Sequence, residues 1–116
     1  MYRVSGNTIE MVRGDTLALR VRILVDGEEY APAAGDRIRF AMKRRQMNAE
    51  KGDFIDEEPL ILREIPIGTM ILKLLPEDTK ALPFGKYAYD IQITFADGYV
   101  DTFIPNARIS LLPEVD

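Results

Sequence analysis

The sequence contains no cysteine and no histidine, and each absence closes a class of chemistry. Without cysteine there is no disulfide, no thiolate nucleophile and no thiolate zinc site. Without histidine the commonest general base and the commonest metal ligand are both missing. Tryptophan is absent as well, and the only serines are Ser5 and Ser110. Neither serine has an imidazole to activate it and no Ser-x-x-Lys occurs, so nucleophilic catalysis has almost nothing to stand on. The glycines never take Gly-x-Gly-x-x-Gly or Walker spacing, which leaves no phosphate cradle. No apolar run approaches the ~18 residues of a membrane span, and Met1–Asn7 carries no apolar segment of the signal-peptide kind. A basic excess is also lacking: 15 Lys and Arg face 19 Asp and Glu, a net charge of −4. A nucleic-acid binder usually shows the reverse.

What is present is one domain's worth of chain. At 116 residues, 47% hydrophobic and 29% charged, residues 1–116 can bury a core as a single unit without staples. The charge is uneven: residues 1–45 sum to +3 and residues 46–116 to −7. That polarity hints at head-to-tail contact between copies or neighbours.

The dominant period is two, which means strands. Leu17, Leu19, Val21 and Ile23 share one face, and Asp26-Gly27 then makes a two-residue hairpin that sets Ile23 opposite Tyr30. Ile38, Phe40 and Met42 alternate with Arg37, Arg39 and Lys43. Leu60, Leu62 and Ile65 open a further apolar stretch, and Met70, Leu72 and Leu74 another. Tyr87, Tyr89, Ile91, Ile93 and Phe95 form the longest clean alternation and read as a central strand. Asp97-Gly98, taken as a second two-residue loop, pairs Phe95 with Val100, Ile93 with Thr102 and Ile91 with Ile104. Pro105-Asn106 interrupts before a last strand, Ala107–Leu112. Thr8–Val12 reads as a short edge strand. Pro76–Leu82 is the one helical turn, with proline where a first turn tolerates it and Pro83 stopping it. The expected fold is therefore all-β: an immunoglobulin-like antiparallel β-sandwich of about 7–9 short strands with one short helical turn. In such folds a corner tyrosine bonds a backbone group a few residues upstream, and Tyr87, after Gly85, is the residue placed for it. Two ordinary core tyrosines would give the same pattern.

Candidate sites are few. Asp53, Asp56, Glu57 and Glu58 lie in the long connection 44–59 and could offer hard oxygens, but their spacing is not that of an EF-hand, so they read as a solvated loop. Asp90 and Asp101, placed on one outward face, could mimic a glycosidase pair, though outward polar residues on a half-wet sheet look the same. Arg13-Gly14-Asp15 matches an integrin-ligand tripeptide and reads better as a turn. Arg37, Arg39, Lys43, Arg44 and Arg45 are the one positive concentration, suited to an acidic patch on a partner protein. Tyr30, Tyr99 and Phe103 could form an aromatic platform for a carbohydrate, or cover a second small core. No catalytic, metal or cofactor residue is assigned, and no enzymatic activity is expected.

Four short motifs carry a resemblance: Arg13-Gly14-Asp15-Thr16, Gly35-Asp36-x-Ile38-x-Phe40, Pro76-Glu77-Asp78-Thr79 and Gly85-x-Tyr87-x-Tyr89-Asp90-Ile91. Over residues 5–115 the chain resembles small structural proteins of tailed phages and prophages, and is similar in outline to the N-terminal domain of siphophage baseplate upper proteins. The resemblance implies a non-catalytic module making protein–protein contacts in a virion, most naturally in the tail or baseplate. It also implies partners that are other phage structural proteins or further copies of itself in a weak homo-oligomer, with no nucleic acid and no membrane. The implied location is the host bacterial cytoplasm during assembly and then the virion. The alternative is a carbohydrate- or cell-surface-binding accessory module.

Overall fold

Strict alternation from Tyr87 to Thr94 makes Gly85–Thr94 the spine of the molecule: Tyr87, Tyr89, Ile91 and Ile93 are buried and the residues between them are not. A strand with one apolar face must lay that face against another layer, and hydrogen-bond to neighbours along both edges. The computed structural model, which describes residues 2–44 and 58–114, shows both.

The elements run β1 (Tyr2–Ser5), β2 (Thr8–Val12), β3 (Leu17–Arg20), β4 (Leu24–Val25), β5 (Glu28–Glu29), β6 (Arg37–Arg44), β7 (Ile61–Ile65), β8 (Ile71–Leu74), α1 (Pro76–Lys80), β9 (Gly85–Thr94) and β10 (Val100–Leu112). Six strands form one sheet in the order β1-β2-β10-β9-β6-β7, β3 pairs with β8, and β4 with β5. The large sheet and the β3–β8 pair share one core. Ile38, Phe40, Met42, Ile91, Ile93 and Ile109 come from the first, and Leu17, Leu72 and Leu74 from the second. No helix is long and apolar enough to cross a membrane.

Several sequence expectations change in the structure. Thr8–Val12 is not an edge: β1 lies outside it, antiparallel, while β10 runs parallel to it with Ile109 beside Ile9. The large sheet is therefore mixed rather than purely antiparallel. Ten strands are present among the described residues, and Pro105-Asn106 does not divide the last of them. β10 continues through that pair with register shifts between Thr102 and Ile104 and between Ile104 and Ala107, and Asn106 takes the left-handed conformation (φ 50°). Bulges of this kind absorb a residue that cannot join the ladder. Leu60 and Leu62 are exposed, and Ile61 joins Ile65 in the core.

The two hairpins differ. Asp26 and Gly27 both have positive φ (52° and 84°), and the Tyr30 N–H donates to the Ile23 carbonyl at 2.8 Å, so the two-residue turn sets the expected register. At the second hairpin the Phe95 N–H donates to the Tyr99 carbonyl at 2.8 Å and the Gly98 N–H to the Phe95 carbonyl. The loop is therefore three residues, Ala96-Asp97-Gly98, with glycine at the left-handed position (φ 92°), the geometry of a turn followed by a bulge. Thr94 rather than Phe95 faces Val100, and the later bulge brings Ile104 back opposite Ile91.

Candidate functional site

The motifs picked out in the sequence are short, and three of them meet at one end of the molecule. The Gly14 N–H donates to Thr79 Oγ1 at 2.8 Å, and Thr79 is fully buried. The Arg13 guanidinium donates to the Leu82 carbonyl (3.1 Å) and to Glu114 (3.2 Å), and lies 4.1 Å over the Phe84 ring. Lys80 completes the group at 3.4 Å from Glu114. Two cations beside Glu114, the hydrogen bond from Arg13 first, hold its carboxyl below the usual range. The Tyr87 hydroxyl donates to the Pro83 carbonyl, four residues upstream, at 2.6 Å. Asp78 braces α1, accepting from the Leu75 N–H at 2.6 Å and from Arg63 at 2.7 Å. Arg13-Gly14-Asp15 is therefore a junction tying the N-terminal strands to α1, the 82–84 corner and the end of β10. Its arginine is three-quarters covered rather than displayed.

At the other end the two hairpins lock together through Asp36. Its carboxylate accepts from Tyr30 Oη (2.7 Å), the Ala33 N–H (2.8 Å) and the Ala96 N–H (3.2 Å). These donors, Ala33 first and then Tyr30, pull the Asp36 carboxyl below its ordinary value, and the same bond raises the Tyr30 phenol. A carboxylate whose folded pKa is depressed adds stability above its unfolded pKa, about 4, and loses it as pH falls through the folded value. Asp36→Asn should therefore lower Tm by several degrees at pH 7, since an amide nitrogen turns donor against donor. The gap from the native chain should close as melts are repeated toward pH 2. A gap of constant size across that range would show that the charge is not what matters.

Of the basic run on β6, Arg37 is paired with Glu64 at 2.7 Å, and Arg39 donates to Gln92 (2.8 Å) and lies 3.5 Å from Asp90. Glu64 raises the Arg37 pKa, first by hydrogen bonding. Lys43 is also engaged, and Arg44 ends the strand opposite Tyr87. Arg45 lies outside the described residues, as do Asp53, Asp56 and Glu57; Glu58 is exposed. The five cations thus do not form one free patch: the first two are neutralised within the sheet.

The two acids proposed as a pair are separated. Asp101 faces Ile93 and so shares the core-side face, whereas Asp90 faces Ala41 on the outer side. Among the described residues no group of three or more Asp or Glu is arranged to hold a metal ion. A cleft of about 320 Å³ opens between the sheets, lined by Val4, Asn7, Leu19, Arg22, Tyr89 and Ile104 among others, and no acid lines it. Tyr89 donates to the Asn7 carbonyl beside it, and burial pushes its phenol up to about 12.

No family model and no curated protein matches the chain.

The aromatic candidates divide. Tyr99 is 65% exposed, and Phe103 is half-buried against the core. Tyr30, Phe95 and Tyr99 form a row instead, with centroids 5.9 and 6.1 Å apart and ring planes at 76° and 39°. Leu24 (57% exposed), Val25 and Val100 (50% each) are exposed, like Tyr99, beside the two Asp-Gly turns. The signal was available: Leu24-Val25 and Tyr99-Val100 each flank an Asp-Gly, and apolar residues at a hairpin tip cannot all face a core.

Proposed function

We propose that this chain is an immunoglobulin-like β-sandwich serving as a non-catalytic structural module of a tailed phage or prophage, making protein–protein contacts in the virion, in the tail or baseplate. The contact role is supported by large apolar side chains left exposed at the two hairpins, Leu24 and Val25 on one and Tyr99 and Val100 on the other. The immunoglobulin-like reading is supported by an N-terminal strand parallel to the last strand, a second layer of β3 and β8 over a shared core, and the Tyr87–Pro83 corner bond. The phage reading rests on the four-motif resemblance. Two of those motifs meet through the bond from the Gly14 N–H to Thr79, as expected of residues that build a scaffold.

The test is mass spectrometry of density-purified particles induced from the source strain. The chain at constant stoichiometry in the particles supports the reading. Its abundance in the lysate with none in the particles overturns it. The carbohydrate-binding alternative draws on Tyr99 alone, because the tilted Phe95 and edge-on Tyr30 give no flat platform beside it. A reproducible glycan-array signal abolished by Tyr99→Ala would replace the structural reading with that one.

A further inference from the structure

We propose that the open edge of β3, with the residues that continue it to Leu24, takes up an extended acidic segment of a partner protein as an added strand. Alternate apolar side chains of that segment enter the cleft between the sheets. The site is built by this chain alone and is independent of any virion.

The hydrogen bonds fix which way this stretch turns its backbone. The Val21 N–H donates to the Met70 carbonyl at 2.8 Å, and Leu19 and Leu17 stand opposite Leu72 and Leu74 in the same phase. Farther on, the Ile23 carbonyl accepts from the Tyr30 N–H. The odd-numbered residues thus spend their backbone groups toward β8 and the β4–β5 hairpin, and those of Ala18, Arg20, Arg22 and Leu24 turn to the other side. Two side chains agree with this phase. The Tyr2 hydroxyl donates to the outward Ala18 carbonyl at 2.7 Å, and Arg63 reaches the Lys73 carbonyl on the far edge of β8 at 3.2 Å. Tyr2 therefore stands where a neighbouring strand would bond at Ala18. Beyond it no described strand pairs with this edge.

The same edge borders the cleft of about 320 Å³, which Arg20, Arg22 and Leu24 line together with Leu19, Leu72 and Ile104. A strand laid beside Arg20 and Arg22 turns every second side chain toward this apolar lining. The side chains between them fall on the outward face, next to the two guanidinium groups, where an acid is the favourable cross-strand neighbour. No acid of this chain lines the cleft. Arg22 makes no ion pair with a described residue, and Arg20 has only a 3.7 Å contact with Glu29 in which both side chains are at least half exposed. A pair of that kind is weak and readily exchanged.

The occupant follows from these two features. Outward N–H and C=O groups recur every second residue, about 6.6 Å apart, a spacing that another extended backbone matches. From Arg20 to Leu24 such a segment needs about five residues, ~17 Å of strand. Charges on an open edge normally guard it against unwanted pairing. Here the two arginines make the edge selective: a basic strand is repelled and an acidic one is paired. Main-chain bonds supply affinity, the cleft takes the apolar side chains, and the arginines choose the partner.

The test is selection of a displayed library of random peptides, about ten residues long, against the whole chain. Recovered peptides should alternate apolar and acidic residues. When a synthetic representative binds, the Arg20 and Arg22 amides should pass from fast to slow hydrogen exchange, while those of Leu19 and Val21 are slow throughout. Arg20→Pro removes an outward N–H that the free fold leaves unpaired, so binding should weaken about tenfold. Methylating alternate amide nitrogens of the peptide reads the same contact on the native chain: one phase should abolish binding and the other leave it intact. Arg22→Glu should weaken binding about tenfold as well. The proposal is overturned by a library with no enrichment, by recovered peptides without acidic residues, or by binding indifferent to both methylation phases. Self-association of the chain that Arg20→Pro abolishes would give the edge to a second copy, and overturns it too.

Discussion

Phe40→Ala is expected to cost about 4 kcal/mol. Phe40 sits mid-way along β6 with no exposed surface, directly opposite Ile91 and with its ring 5.4 Å from that of Tyr89. Its neighbours on both sides belong to strands paired along their length, so the backbone cannot close in on the void, and both the transfer and the cavity contributions are felt. Urea unfolding followed by far-UV circular dichroism measures it, with a fall in midpoint at unchanged slope. Leu62→Ala is the matched control. Leu62 lies one strand away, on β7, but is 60% exposed, so its truncation should change stability by about 0.5 kcal/mol or less. Equal losses at the two positions would mean that the burial pattern of β6 and β7 is wrong.

That pair also marks how far the sequence can be read. Where alternation runs long and clean, as from Tyr87 to Ile93 or Ile38 to Met42, every inward residue follows from the period alone. Residues 60–65 read Leu-Ile-Leu-Arg-Glu-Ile, and two phases are equally apolar at the start. Only Arg63, which reaches Asp78 and the Lys73 carbonyl, fixes which phase is inside, and its partners are distant in sequence. The second hairpin fails for a related reason. Asp-Gly serves a two-residue loop and the last two positions of a three-residue loop alike, and the choice is made by packing around Phe95 and the Asp36–Ala96 bond. The parallel pairing of β2 with β10 joins segments about a hundred residues apart and leaves no local mark on either.

The candidate site was legible in its parts rather than in its assembly. Arg37 and Arg39 were visible as exposed cations, but Glu64, Asp90 and Gln92 become their partners only through strand order. The acid pair Asp90 and Asp101 came apart because a register displaced by one residue sends a side chain to the opposite face. The Arg13 junction illustrates the converse. A tripeptide suggestive of a displayed ligand is turned inward by contacts to Leu82, Phe84 and Glu114, all far downstream.

Gly35→Ala is expected to lose about 3 kcal/mol, from two separable causes. Gly35 has φ +95°, a conformation that disfavours any Cβ, and an added methyl would stand 2.9 Å from the Ala96 Cβ. The clash falls where the 33–36 turn is clamped to the β9–β10 hairpin, because the neighbouring Asp36 carboxylate accepts from the Ala96 N–H. Pushing the turn away from Ala96 therefore stretches that bond as well as straining the backbone. Gly27 separates the causes: its φ is +84° but nothing lies within 4 Å of an added Cβ, so Gly27→Ala should cost only about 1 kcal/mol, the conformational part. Placing Ala96→Gly in the Gly35→Ala background removes the clashing methyl and should return about 1–2 kcal/mol of the loss. Denaturant titrations of the three variants decide it. If Gly35→Ala is no worse than Gly27→Ala, or if Ala96→Gly gives no recovery, the two hairpins are not pressed together at this junction.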